Sequence, residues 1–185
     1  MNIKFEMQND LLVKEIWTSW FKNKIGQLQY YFNVSEKIII TDRISREDYE
    51  QIPKWAVAFT HEQTVFLLNP YEWIKRYRID MIVIHEIVHA ITNKLEIKLP
   101  LILFEGMAVY FADQLDSIEL CDEDIDGLSS TKVQLMDYSS PNFYDVSGYL
   151  FQKLVKKIGI KNVIEYIRSG DFKILFDYWD NEVRL

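Results

Sequence analysis

The stretch I-V-I-H-E-I-V-H-A-I-T, from Ile82 to Thr92, sets two histidines and a glutamate into an otherwise apolar helical run. Residues four apart on an α-helix lie one turn above another on a single face, so His85 and His89 share a face. Two imidazole nitrogens placed in this way can serve one metal ion, at about 2.0–2.1 Å each for zinc. Glu86 lies about 100° around the helix from His85, close to such an ion without having to bind it. From there its carboxylate can take a proton from a zinc-activated water and pass it to a leaving amine, the task of the glutamate in H-E-x-x-H. The alternative, two histidines and a carboxylate packed among Ile82, Ile84, Ile87, Val88 and Ile91 for no chemical purpose, is costly. No lysine or arginine stands close in sequence to offset the buried charge.

Around this helix the pattern is of strands first and helices later, an α+β layout. Leu11 to Lys22 has apolar residues at helical spacing and predicts one amphipathic helix. Lys37 to Asp42, K-I-I-I-T-D, is short and β-branched, a buried strand. Ser45 to Asp48 resembles a capping box opening a short helix. Trp55 to Phe59 and Thr64 to Leu68 read as two strands separated by T-H-E-Q. Asn69-Pro70 supplies an N-cap and a first-turn proline, and the helical pattern then runs to about Asn93 with a break near Arg76 to Arg78. Pro100 opens a helix from Leu101 to about Gln114, a helix after Pro141 stops at Gly159, and another spans Lys161 to Gly170.

The chain has 185 residues and reads as a single domain: an α/β lobe over about 1–95 carrying the H-E-x-x-H helix, then a helical lobe over about 96–185. A hydrophobic content of 49% marks a globular chain rather than a disordered one. The net charge of −7 argues against a nucleic-acid footprint, which needs a basic face. No apolar run reaches the roughly 18–20 residues of a membrane span, and the acidic N-terminal stretch does not read as a signal peptide. Cys121 is the single cysteine, which excludes an intrachain disulfide and fits a reducing compartment. A cytoplasmic location is the expectation.

A catalytic zinc takes a third protein ligand and keeps one position open. Sixteen residues after His89 the chain reads F-E-G-M-A, with Glu105 on a predicted helix. H-E-I-V-H-A-I-T followed by F-E-G-M-A resembles the gluzincin clan of metallopeptidases, whose pattern is HExxH on one helix and EGxA on the next. The resemblance implies a zincin-like fold, Glu105 as third zinc ligand, and Gly106 and Ala108 as small residues that let the two helices pack closely. It also implies an edge strand before the HExxH helix that takes the substrate backbone by strand addition, a role open to Ala56–Phe59 or Thr64–Leu68. Downstream, Y-D-V-S-G-Y-L-F-Q-K-L-V-K-K-I-G is similar to a segment of EGxA-type gluzincins, and that match gives Tyr144 the place of a tyrosine donating to the tetrahedral oxyanion.

The chain departs from the clan in two places. Val109 stands where thermolysin-like members carry an aspartate that orients a histidine, with Asn93 the other candidate for that duty. The glycine-rich M-E-N motif of the aminopeptidase branch is absent, which favours an endopeptidase. Two further features read as structural. Asp122 to Gly127 mimics the start of an EF-hand loop, but position twelve would be Val133 where a glutamate is required, so a solvated acidic loop is expected rather than a calcium site. His61 reads as a surface histidine. The expectation is thus a zinc-dependent peptidase acting on a peptide or protein, with His85, His89 and Glu105 on the metal, Glu86 as general base and Tyr144 as oxyanion donor. A gluzincin-like module that keeps zinc but does not cleave is the competing reading.

Overall fold

The computed structural model describes residues 1–45, 50, 52, 56–75, 78–95, 97–117, 125 and 128–183. It is an α+β chain with one four-stranded mixed sheet, and it divides into two compact units, Met1–Lys94 and Leu95–Leu185. The capping box expected at Ser45–Asp48 and most of the acidic stretch Asp122–Gly127 lie outside the described residues.

In Met1–Lys94 the strands are β1 (Asn2–Glu6), β2 (Lys37–Thr41), β3 (Ala58–His61) and β4 (Thr64–Leu67), in the order β1-β2-β4-β3. β1, β2 and β4 run parallel, and β3 closes the sheet antiparallel to β4. β1 is not among the expected strands, although N-I-K-F-E alternates polar and apolar residues with the period of a strand. The hairpin also differs from expectation. Thr60 and His61 belong to β3, and the turn is only Glu62 and Gln63, with Glu62 at φ 51°. One face of the sheet presents the buried Ile38, Ile40, Val65 and Leu67. The stacked rings of Phe59 and Phe66, 4.8 Å apart, lie on the other.

The helix expected over Leu11–Lys22 is two: α1 (Asp10–Ile16) and α2 (Ser19–Phe32). Thr18 divides them, because its hydroxyl accepts from the Phe21 amide at 3.0 Å and so starts a new helix. After the short α3 (Pro70–Trp73) comes α4 (Ile79–Thr92), with Ile74, Lys75 and Arg78 outside both helices; Arg76 and Tyr77, where the break is expected, lie outside the described residues. Asn69 is left-handed at φ 46° and caps α3 with its carbonyl, which accepts from Glu72, rather than with its side chain. α4 packs against β2, β3 and β4 and against α1 and α2. That placement explains its all-round apolar character, with Val83, Ile84, Ile87 and Val88 fully buried. Its start is pinned by Asp80, 5% exposed. The Asp80 carboxylate accepts from Arg78 at 2.9 and 3.2 Å, from the Thr18 hydroxyl at 3.1 Å and from the Met81 amide at 3.0 Å.

Leu95–Leu185 is helical: α5 (Leu101–Phe111), α6 (Ser130–Gln134), α7 (Phe143–Ile158), α8 (Ile160–Ser169) and α9 (Phe172–Val183). α5 ends at Phe111, short of the expected Gln114, and a separate 3-10 turn follows over Gln114–Ser117. α5 and α7 make the main contact. A Cβ on Gly106 would stand 2.2 Å from the Ser147 carbonyl oxygen, and one on Gly148 2.5 Å from Val109 Cγ1. The close approach that Gly106 permits is therefore to α7. Among the described residues, no helix is long and apolar enough to cross a membrane.

Candidate metal centre

His85 and His89 stand one turn apart on α4, with ring centroids 4.7 Å apart and planes at 86°. His89 is 8% exposed, while His85 and Glu86 are half-buried on the least covered strip of the helix, together with Met81 and Ile82. A helix buried on most of its circumference keeps polar groups where it is least covered, and His85 and Glu86 lie on that strip while His89 is buried. Glu86 is held from the sheet. The Thr60 hydroxyl on β3 lies 2.7 Å from Glu86 Oε2 and 2.9 Å from the Glu86 carbonyl oxygen.

Glu105 lies in the middle of α5 and is 2% exposed. Its Oε1 accepts a hydrogen bond from the Tyr138 hydroxyl at 2.7 Å. Tyr138 sits in the turn before α7, where its ring meets Phe143 edge-on at 5.4 Å and Tyr144 at 6.1 Å. Tyr144 is 39% exposed in the first turn of α7. Val109 is buried, Asn93 serves as the C-cap of α4, and His61 is exposed at the end of β3.

His85, His89 and Glu105 form a group able to hold a metal ion, their donor atoms all within 4.8 Å of one another. Comparison with family models, curated proteins and solved structures finds no match to this chain. Whether a metal fits is a matter of the donor set. A tetrahedral zinc with bonds of about 2.1 Å holds its ligand atoms about 3.4 Å apart, within the 4.8 Å limit that the three donor atoms share. Two imidazoles and one carboxylate would supply three protein ligands, the number that catalytic zinc sites use. The donor set also suits other divalent first-row metals, since ligand type alone separates them weakly.

Two residues of this region escaped the sequence reading, Thr60 and Tyr138. Thr60 fell in a segment read as a loop, and alternation along β3 is what turns it towards α4. For Tyr138 the only signal is the D-Y-S-S-P turn chemistry, which marks a turn and says nothing of the carboxylate it reaches. The turn is tightly made. Asp137 Oδ1 accepts from the Ser139 amide at 2.9 Å and its hydroxyl at 2.6 Å, and Ser140 Oγ accepts from the Asp137 amide at 3.1 Å. These bonds, Ser139's foremost, hold the Asp137 carboxyl below its ordinary range, whereas burial pushes the Asp145 carboxyl up.

Proposed function

We propose that the chain is a zinc-dependent peptidase of the gluzincin type, with His85, His89 and Glu105 holding the metal and Glu86 as general base. The observation that carries this reading is the group of two histidines and a buried glutamate, with a further carboxylate, Glu86, on the same helix. Zinc bound by these residues would supply Lewis acidity and bring the pKa of water at the site towards ~7. The chain's own groups supply the rest. Glu86, steadied by Thr60, accepts the proton of the attacking water and delivers it to the departing amine. Tyr144 is the candidate donor to the oxygen on which negative charge develops.

The sheet offers a place for a peptide. Of the two candidate strands, β4 is flanked by β2 and β3, while β3 ends the sheet. The Val57 carbonyl accepts from the Leu68 amide, so residues 57, 59 and 61 direct their backbone groups to β4. Antiparallel alternation turns those of Ala58 and Thr60 to the open edge. An extended substrate can pair there by strand addition, which favours internal peptide bonds over chain ends. A retained general base favours catalysis over a silent zinc-binding module, which has no use for Glu86.

Elemental analysis of the purified chain, followed by cleavage of a diverse peptide library with and without chelator, tests the reading. About one zinc per chain and chelator-sensitive cleavage at internal bonds are expected. Equal zinc in the wild type and in the His85→Ala/His89→Ala double variant would overturn the metal site. Zinc without cleavage would leave the binding module.

A further inference from the structure

We infer that Tyr138 is a positioning residue for Glu105, fixing how that carboxylate is presented to the metal. The inference rests on the metal reading above. It starts from an inversion of ordinary packing. A tyrosine buried for its apolar area hides the ring and leaves the hydroxyl at the surface. Tyr138 does the reverse: the residue is 53% exposed, yet its hydroxyl reaches Glu105, which is 2% exposed. A carboxylate at that depth needs donors, and the phenol provides one at 2.7 Å. With Oε1 engaged, rotation of the carboxylate is limited and it is disposed to bind through one oxygen rather than two. One-oxygen binding preserves the four-coordinate geometry in which a position stays open.

The ring is placed by the turn before α7 and by the first residue of that helix. The Asp137–Ser140 turn is closed by the Ser140 amide donating to the Asp137 carbonyl at 2.9 Å, in addition to its side-chain bonds. Phe143, 3% exposed, meets the Tyr138 ring edge-on at 5.4 Å. The exposed tyrosine thus stands between a hydrogen-bonded turn and a core phenylalanine, with its hydroxyl on the candidate ligand.

The test uses the full chain with Tyr138→Phe, which keeps the ring and its contact with Phe143 and removes only the hydroxyl. Zinc affinity is measured by competition with a chelator of known affinity, and the coordination by the visible spectrum of the cobalt-loaded protein. Tyr138→Phe is expected to bind zinc about 10–100-fold more weakly, the scale on which outer hydrogen-bonding partners act, with a shifted cobalt spectrum. Tyr144→Phe, in the same aromatic cluster, is expected to match wild type in both. Asp137→Ala loosens the turn without touching the carboxylate and is expected to weaken zinc in the same direction. It serves as the second probe should Tyr138→Phe fold poorly by circular dichroism. Wild-type affinity and spectrum in the folded variants would overturn the role of Tyr138 while leaving the metal site standing. A wild-type chain that binds neither zinc nor cobalt would overturn both readings, and that outcome is seen before any variant is made.

Discussion

Thr60 and Glu86, on a strand and a helix of the same unit, are joined by a hydroxyl-to-carboxylate hydrogen bond of 2.7 Å. The hydroxyl has one proton for two acceptors, the Glu86 carbonyl oxygen at 2.9 Å being the other, and the carboxylate is the nearer. If Glu86 moves protons, Thr60 sets the direction from which it does so. Thr60→Val removes the donor at nearly constant shape and should lower kcat about 10-fold, the equivalent of about 1.4 kcal/mol. KM and zinc content should stay as in wild type, and Thr60→Ser should restore the rate. Equal kcat in the valine variant would remove Thr60 from the mechanism.

Glu86→Gln is nearly isosteric, so zinc content and folding should be kept while proton transfer stops. Steady-state assays should show turnover at least ~100-fold lower. Tyr144→Phe should slow turnover ~10–1000-fold if its hydroxyl meets the oxyanion, with unchanged metal content. A Glu86→Gln variant as active as wild type would end the catalytic reading.

Zinc should also stabilise the fold. An ion that binds only the native chain adds about 2.7 kcal/mol at 100 times its Kd, a rise in Tm that calorimetry resolves and that a chelator abolishes. Glu105→Ala should shrink the rise while preserving helical content. The same rise in that variant would place the third ligand elsewhere.

Gly106→Ala tests the α5–α7 crossing. The new Cβ would stand 2.2 Å from a backbone oxygen, which no side-chain rotation can relieve. Overpacking of this kind costs about 1–3 kcal/mol, and urea denaturation should show it as a lower midpoint. An unshifted midpoint would mean that the two helices separate readily.

Two aspartates near Tyr138 and Tyr144 should titrate in opposite directions from their ordinary value near 3.8. Asp137, held down by Ser139 and then Ser140, adds stability that is present above that value and lost as pH falls through its lower folded pKa. Asp145, raised by burial, binds more protons folded than unfolded. Its contribution therefore declines as pH rises from 3.8 through its folded pKa. Carboxyl NMR titration should place Asp137 below Asp145, and the reverse order would contradict both environments.

What could be read before the structure followed the strength of local signals. Period-3.6 burial made α4, α5, α7 and α8 visible, and the H-E-x-x-H spacing carries its own geometry. β1 does carry a local signal, Ile3 and Phe5 alternating with Asn2, Lys4 and Glu6, but the signal is five residues long and the strand's partner is remote, Asn2 pairing with Lys37. The Thr18 break was overlooked because continuous apolar spacing outweighed a single capping hydroxyl. Thr60 and Tyr138 matter through what they touch at 2.7 Å, and such contacts between distant positions leave no trace in periodicity.

The two ends of the sheet are not protected alike. β1 carries Lys4 and Glu6, paired with each other, and charge on an outer strand discourages a second chain from docking. β3 reads Ala58-Phe59-Thr60-His61, without a lysine, an acid or a proline, and among the described residues no strand pairs with its outer side. An opening suited to a peptide backbone is equally suited to another molecule of the same protein. Concentrated solutions should therefore self-associate through β3, and a short strand-forming peptide that occupies this edge should act as a solubiliser.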